Sequence, residues 1–83
     1  MITAAQCRSA RTLRNLPLAR LAAAAGLSES EIDDFERERR PLDPAAGEVL
    51  RHALEEAGIV FLPGGDVRLL AEVRLLAEVP GRR

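Results

Sequence analysis

The sequence predicts a mainly α domain, a bundle of four helices followed by a C-terminal β-hairpin or β-arm. Three observations carry that expectation. The chain has 83 residues, 47% of them hydrophobic but only two aromatic, Phe35 and Phe61. A chain this short must spend nearly every apolar side chain on one core, here of Ala, Leu, Val and Ile. Up to residue 57 apolar residues recur at spacings of three and four, the helical signature, and beyond Ile59 the spacing turns to two, the strand signature.

Thr3 with Gln6 forms a capping box that opens a helix over residues 4–15, with Cys7, Ala10 and Leu13 stepping down one face. Cys7 on that face reads as core, since a reactive thiol needs exposure and a nearby base. The other side carries Arg8, Arg11 and Arg14, and no acid precedes Glu29. Pro17 fits the first turn of a second helix, over 17–25, because a missing amide proton costs nothing there. Leu18, Leu21, Ala22 and Ala25 form its stripe, and Gly26 ends it in a left-handed stop with Leu27 as the accompanying apolar contact. Ser28 with Glu31 is a second capping box, so a third helix runs over 28–37 with Ile32 and Phe35 inward. Asp43 as cap and Pro44 at the first position open a fourth helix that Gly58 stops. Its stripe is Ala46, Val49, Leu50, Ala53, Leu54 and Ala57, while His52 lies off it and reads as solvated.

Residues 59–62, then Pro63-Gly64-Gly65-Asp66, then Val67 onward, read as two strands about a Gly-rich turn. The hexapeptide VRLLAE occupies 67–72 and again 73–78. A repeat of six is commensurate with a period of two, and the odd positions from Val67 to Val79 are all apolar. An extended arm would therefore carry an apolar face too long for the first strand to cover. Val67, Leu69, Ala71, Val73 and Leu75 are the expected dimerisation residues, pairing antiparallel with a second chain. Leu, Ala, Glu and Arg are also good helix formers, and Arg68 with Glu72 and Arg74 with Glu78 sit at i,i+4. A strand breaking into a helix near Leu70 is thus the second reading, and such a helix would dock its leucines on the partner's fourth helix. The division is a helical domain at 1–58, an arm at 59–79 and a disordered tail at 80–83.

About three residues join the second and third helices, and small Ala22 lets them cross closely, which is the physical recipe of a helix-turn-helix. Leu21, Ala22, Ala25, Gly26, Leu27, Ile32 and Phe35 match the anchor positions of the phage-repressor family (Cro and lambda-repressor-like, or XRE). The stretches ITAAQCRSAR, LAAAAGLSESEIDDFERERRP and ALEEAGIVF resemble short bacterial XRE-type regulators, and the resemblance covers residues 1–70. It implies a lambda-repressor-like fold and a transcriptional regulator that binds duplex DNA as a homodimer. The third helix would lie in the major groove and present Ser28, Glu29, Ser30, Asp33, Asp34 and Arg37. Arg11, Arg39 and Arg40, with Arg8, would line the phosphates.

Glu29 and Asp33 depart from the family's usual residues, Leu18 stands where a phosphate-bracing Gln is typical, and three acids face one base on the reading surface. Carboxylates do accept hydrogen bonds from cytosine N4, so an acidic helix still has something to read. The alternative is that the arginines balance these acids in surface ion pairs, and that the domain is an antitoxin-like or anti-regulator module that contacts a protein partner.

Composition narrows the remaining classes. All twelve basic residues are Arg against thirteen acids, a net charge of −1 that is no bulk nucleic-acid signature. Two aromatics exclude a base-stacking platform. One Cys and one His give neither a disulfide nor a zinc site. Ser9, Ser28 and Ser30 lack a nucleophile's context and no phosphate-cradling loop is present, so neither an enzyme nor a cofactor is expected. Four arginines interrupt the first twenty residues and no eighteen-residue apolar run occurs, so the expected location is the cytoplasm, without membrane contact.

Overall fold

The computed structural model describes residues 1–77, and the predicted tail at 80–83 lies outside them, as does Val79. The architecture is mainly α with one small antiparallel hairpin. In order it comprises α1 (Ala4–Arg14), α2 (Leu18–Ala25), α3 (Glu29–Glu36), α4 (Pro44–Glu56), β1 (Ile59–Phe61), a 3-10 turn (Pro63–Gly65), β2 (Val67–Leu69) and α5 (Leu70–Ala77).

The helix starts follow from local hydrogen bonding. The Gln6 amide donates to Thr3 Oγ1 at 3.1 Å and the Thr3 amide to Gln6 Oε1 at 2.8 Å, so both halves of the first capping box are made. Ser28 and Glu31 repeat the arrangement at the head of α3. Pro44 starts α4 as expected, although the Asp43 side chain makes no capping bond. Gly26 closes α2 at φ 72°, a left-handed conformation that would strain any residue with a Cβ.

Helix α2 packs on α4 and α3, α1 on α3 and β2, and α4 on β1. At the centre lie Cys7, Leu21, Ile32, Leu50 and Leu54, all fully buried, with Phe35 at 8% exposure beside them. Two expected stripe residues sit at the margin instead. Leu13 is 40% exposed because steps of three rotate back about 60° each on a helix of 3.6 residues per turn, which carries it far round from Cys7. Val49 is similarly exposed, on the edge of the face that Leu50 and Ala53 bury.

Of the two readings of the arm the structure shows the second: the strand from Val67 breaks into a helix at Leu70, and the extended arm does not form over the described residues. The hairpin pairs Ile59 with Leu69, Val60 with Arg68 and Phe61 with Val67. Its last ladder bond runs from the Leu70 amide to the Gly58 carbonyl at 2.7 Å. Beyond that β1 offers no partner, and backbone groups that lose a ladder must bond among themselves, which a helix-forming sequence does by coiling. Of the expected dimerisation residues, Val67 is buried in the chain's own core and Leu69 is half-buried against it. Ala71 and Leu75 lie on one side of α5, and Val73 falls on the other, so they form no continuous face. No helix among the described residues is long and apolar enough to cross a membrane.

Phe35→Ala is expected to cost about 3–5 kcal/mol, a large part of what a domain of this size has, and a urea melt of the variant measures it. A variant melting with the wild type would mean that Phe35 is not core.

Candidate functional site

The three-residue connection Gly26–Ser28 turns the chain between α2 and α3, and burial of Ile32 and Phe35 sets which side of α3 faces outward. Ser28, Glu29 and Ser30 stand exposed at its start, and Asp33 and Asp34 are half-buried along it. Each of these two acids has an arginine. Arg37 Nε donates to Asp33 Oδ1 at 2.9 Å, one helical turn apart, and Arg39 Nη1 lies 3.8 Å from Asp34 Oδ1. The Asp34 carbonyl also accepts the Arg39 and Arg40 amides at 2.8 and 3.4 Å, which anchors the exposed turn that carries both side chains. Glu31 is spent on its capping box. Neither Glu29 nor Glu31, the two acids at the helix start, is in an ion pair among the described residues, and Arg40 is a base without one.

Arg11 stands elsewhere than the sequence reading placed it. Its guanidinium is bound inward, Nε and Nη2 each donating to a Glu36 carboxylate oxygen at 2.8 Å, which engages the group that a phosphate contact would use. Arg11 Nη1 also donates to the Leu16 carbonyl, tying the α1–α2 connection to the same side chain. Glu36 is 4% exposed, the one charged residue in the core among the described residues, and its Oε2 also accepts from Cys7 Sγ at 3.1 Å. Arg8 Nη1 donates to the Glu36 backbone carbonyl.

Glu36 was missed as a site residue, although the signal was present: it sits one turn beyond Ile32, on the apolar stripe itself, as Arg11 sits one turn beyond Cys7. No buried side-chain nitrogen or oxygen among the described residues lacks a partner.

Burial alone would raise the Glu36 carboxyl, but the Arg11 hydrogen bonds, the Cys7 thiol and the charges of Arg11 and Arg8 outweigh it and hold the group below the usual carboxylate range. For Cys7 burial acts first, and the hydrogen bond and charge of Glu36 push the same way, so the thiol is held far above its ordinary range. Among the described residues no group of three or more His, Cys, Asp or Glu is placed to hold a metal ion. His52 is exposed on α4 with its Nε2 3.9 Å from Glu48 Oε1. The outer side of α3 and the exposed turn after it present a polar surface on which Asp33 and Asp34 are paired with Arg37 and Arg39. Comparison with models of protein families and with curated proteins finds no match to this chain.

Two outcomes follow. Because Glu36 is depressed in the folded state, its contribution is complete above the usual carboxylate range and is lost as pH falls through its lowered value. Arg11→Met should cost about 3 kcal/mol at neutral pH by stranding a buried charge, whereas Arg11→Met with Glu36→Leu should recover most of it and flatten the acid limb of stability against pH. Urea melts across the acid range read both. Cys7 should resist iodoacetamide in the native protein at mildly alkaline pH and react once urea unfolds it; prompt native alkylation would contradict its burial.

Proposed function

We propose that this chain is a DNA-binding transcriptional regulator of the phage-repressor type, with a lambda-repressor-like fold, acting in the cytoplasm as a homodimer on duplex DNA. The observation that carries the reading is a pair of helices joined by a three-residue turn, α2 and α3, with the outer face of α3 left open and followed directly by Arg37, Arg39 and Arg40. In this reading α3 enters the major groove start-first, so Ser28, Glu29 and Ser30 meet base edges. Arg40, and Arg37 and Arg39 at the far end, meet phosphates.

The acidity of α3 is less of an obstacle than its composition suggests. Counted over the whole surface, Glu29, Glu31, Asp33, Asp34 and Glu38 face Arg37, Arg39 and Arg40, and three of these five acids have an arginine beside them, Asp33 with Arg37, Asp34 with Arg39 and Glu38 with Arg8. The same pairs favour a second reading, a protein-contact module of antitoxin-like or anti-regulator type, because arginines held by their own acids are less available to phosphates.

Gel retardation with fragments of the source genome at two salt concentrations separates the readings. For a regulator, retention is salt-sensitive, and Arg40→Ala weakens every fragment alike and lowers the salt slope by about 1. Asp33→Asn should raise non-specific affinity by freeing Arg37, and Glu29→Gln should change which fragments are preferred. Absence of retention for every fragment at low salt would favour the protein-contact reading.

A further inference from the structure

The chain contains the sequence of β2 twice. Residues 66–71, DVRLLA, and 72–77, EVRLLA, differ only in Asp against Glu. The first copy supplies β2, with Val67 buried and Leu69 packed against the core, and the second lies in α5, where Val73 is half-buried. An eight-residue helix is marginal in water on its own, and α5 rests chiefly on β2.

Every ladder bond that the first copy makes is open to the second. The Leu62 amide donates to the Asp66 carbonyl at 2.8 Å and the Leu70 amide to the Gly58 carbonyl at 2.7 Å, and Glu72 and Leu76 carry the same backbone groups six positions on. Six is even, so a shift of six leaves each side chain on its own face of the hairpin. Val73 takes the place of Val67 opposite Phe61, Arg74 that of Arg68 opposite Val60, and Leu75 that of Leu69 opposite Ile59. Even the local ion pair has its counterpart: Arg68 lies 3.4 Å from Asp66, two positions before it, and Arg74 has Glu72 at the same offset.

We propose that the two copies exchange as the second strand of the hairpin, α5 being the form in which the spare copy is held. The observed register wins on connection length. Five residues, 62–66, join β1 to β2, and eleven, 62–72, join them after the shift, which makes closure about threefold less favourable. Loss of the marginal α5 adds to this, and the second register holds about 1–10% of molecules. One state displays a helix and the other a long loop beside the Pro63 turn, so a partner that binds either alone draws the population towards it. The inference rests on the fold and stands whether or not the chain binds DNA.

Urea melts of the full chain with Val67→Asp, Val73→Asp and both substitutions test it. A carboxylate at the buried strand position with no spare copy available should raise the unfolding constant about a thousandfold, which is the expectation for the double variant. Val67→Asp alone should raise it only by the ratio of the two registers, about 10–100-fold, and Val73→Asp alone by no more than about threefold. In the Val67→Asp chain a nuclear Overhauser contact between the Phe61 ring and the Val73 methyls should appear. The wild type provides a measure that needs no variant to fold: relaxation dispersion or saturation transfer on labelled valine methyls should reveal a minor state in which Val73 takes the shift of Val67. Val73→Asp costing the same in the Val67→Asp chain as in the wild type, a Val67→Asp chain without the Phe61–Val73 contact, or a wild type without the minor state, overturns the inference.

Discussion

The placement of α3 depends on the buried carboxylate of Glu36. A guanidinium fork holding both oxygens of a carboxylate is satisfied in few relative orientations, so α1 and α3 are set not only in distance but in rotation. Such a pair contributes little net stability, since removing two charges from water costs about what their attraction returns. Its value here is geometric. Arg8 takes the last α3 carbonyl while Arg11 takes the side chain of the same residue, so α1 grips α3 at its C-terminal end and leaves the N-terminal end, with Ser28 to Ser30, open to a partner. Cys7 belongs to this cluster as a buried donor to Glu36.

The elements that were legible in the sequence are those in which local chemistry acts alone. Two capping boxes, a glycine stop and a proline start placed the first four helices within a residue or two of their observed ends. Illegible from spacing alone was which charges were surface and which were core. Arg11 and Arg8 differ by one turn and share one face of α1, yet Arg11 is tied into the interior by a residue 25 positions away. That contact is tertiary, and composition counts Glu36 simply as one more acid of α3. Two acids of α3 do have the arginines that follow the helix beside them, as one of the two readings of these charges expects.

Those surface pairs have a different character from the buried one. Arg37 with Asp33 and Arg39 with Asp34 are solvent-screened, and their arginines are about 60% exposed, so each pair holds its side chains weakly and can be exchanged for a stronger anion nearby. A phosphate row could draw the arginines away and leave the aspartates to amino groups of bases. A cationic protein could instead take the aspartates and leave the arginines. These surface pairings are weak and reversible, whereas the buried Arg11–Glu36 pairing beneath them is fixed in its geometry.

The duplicated hexapeptide shows where pattern ceases to determine structure. Val-Arg-Leu at 67–69 is a strand and the same three residues at 73–75 are helix, within one chain and six positions apart. Propensity is identical in both copies, so it cannot be the cause. The first copy has β1 beside it and the core beneath, and Val67 facing Phe61 gains burial that a helix would forgo. The second copy has neither, and with no strand to share its backbone bonds it satisfies them internally. Period two is a prediction about a face, and a face has meaning only where something lies against it. Once the ladder ended at Leu70, the letters that spelled an alternating strand became a helix whose Glu72, Leu75 and Leu76 share a side, an arrangement that no reading at period two contains.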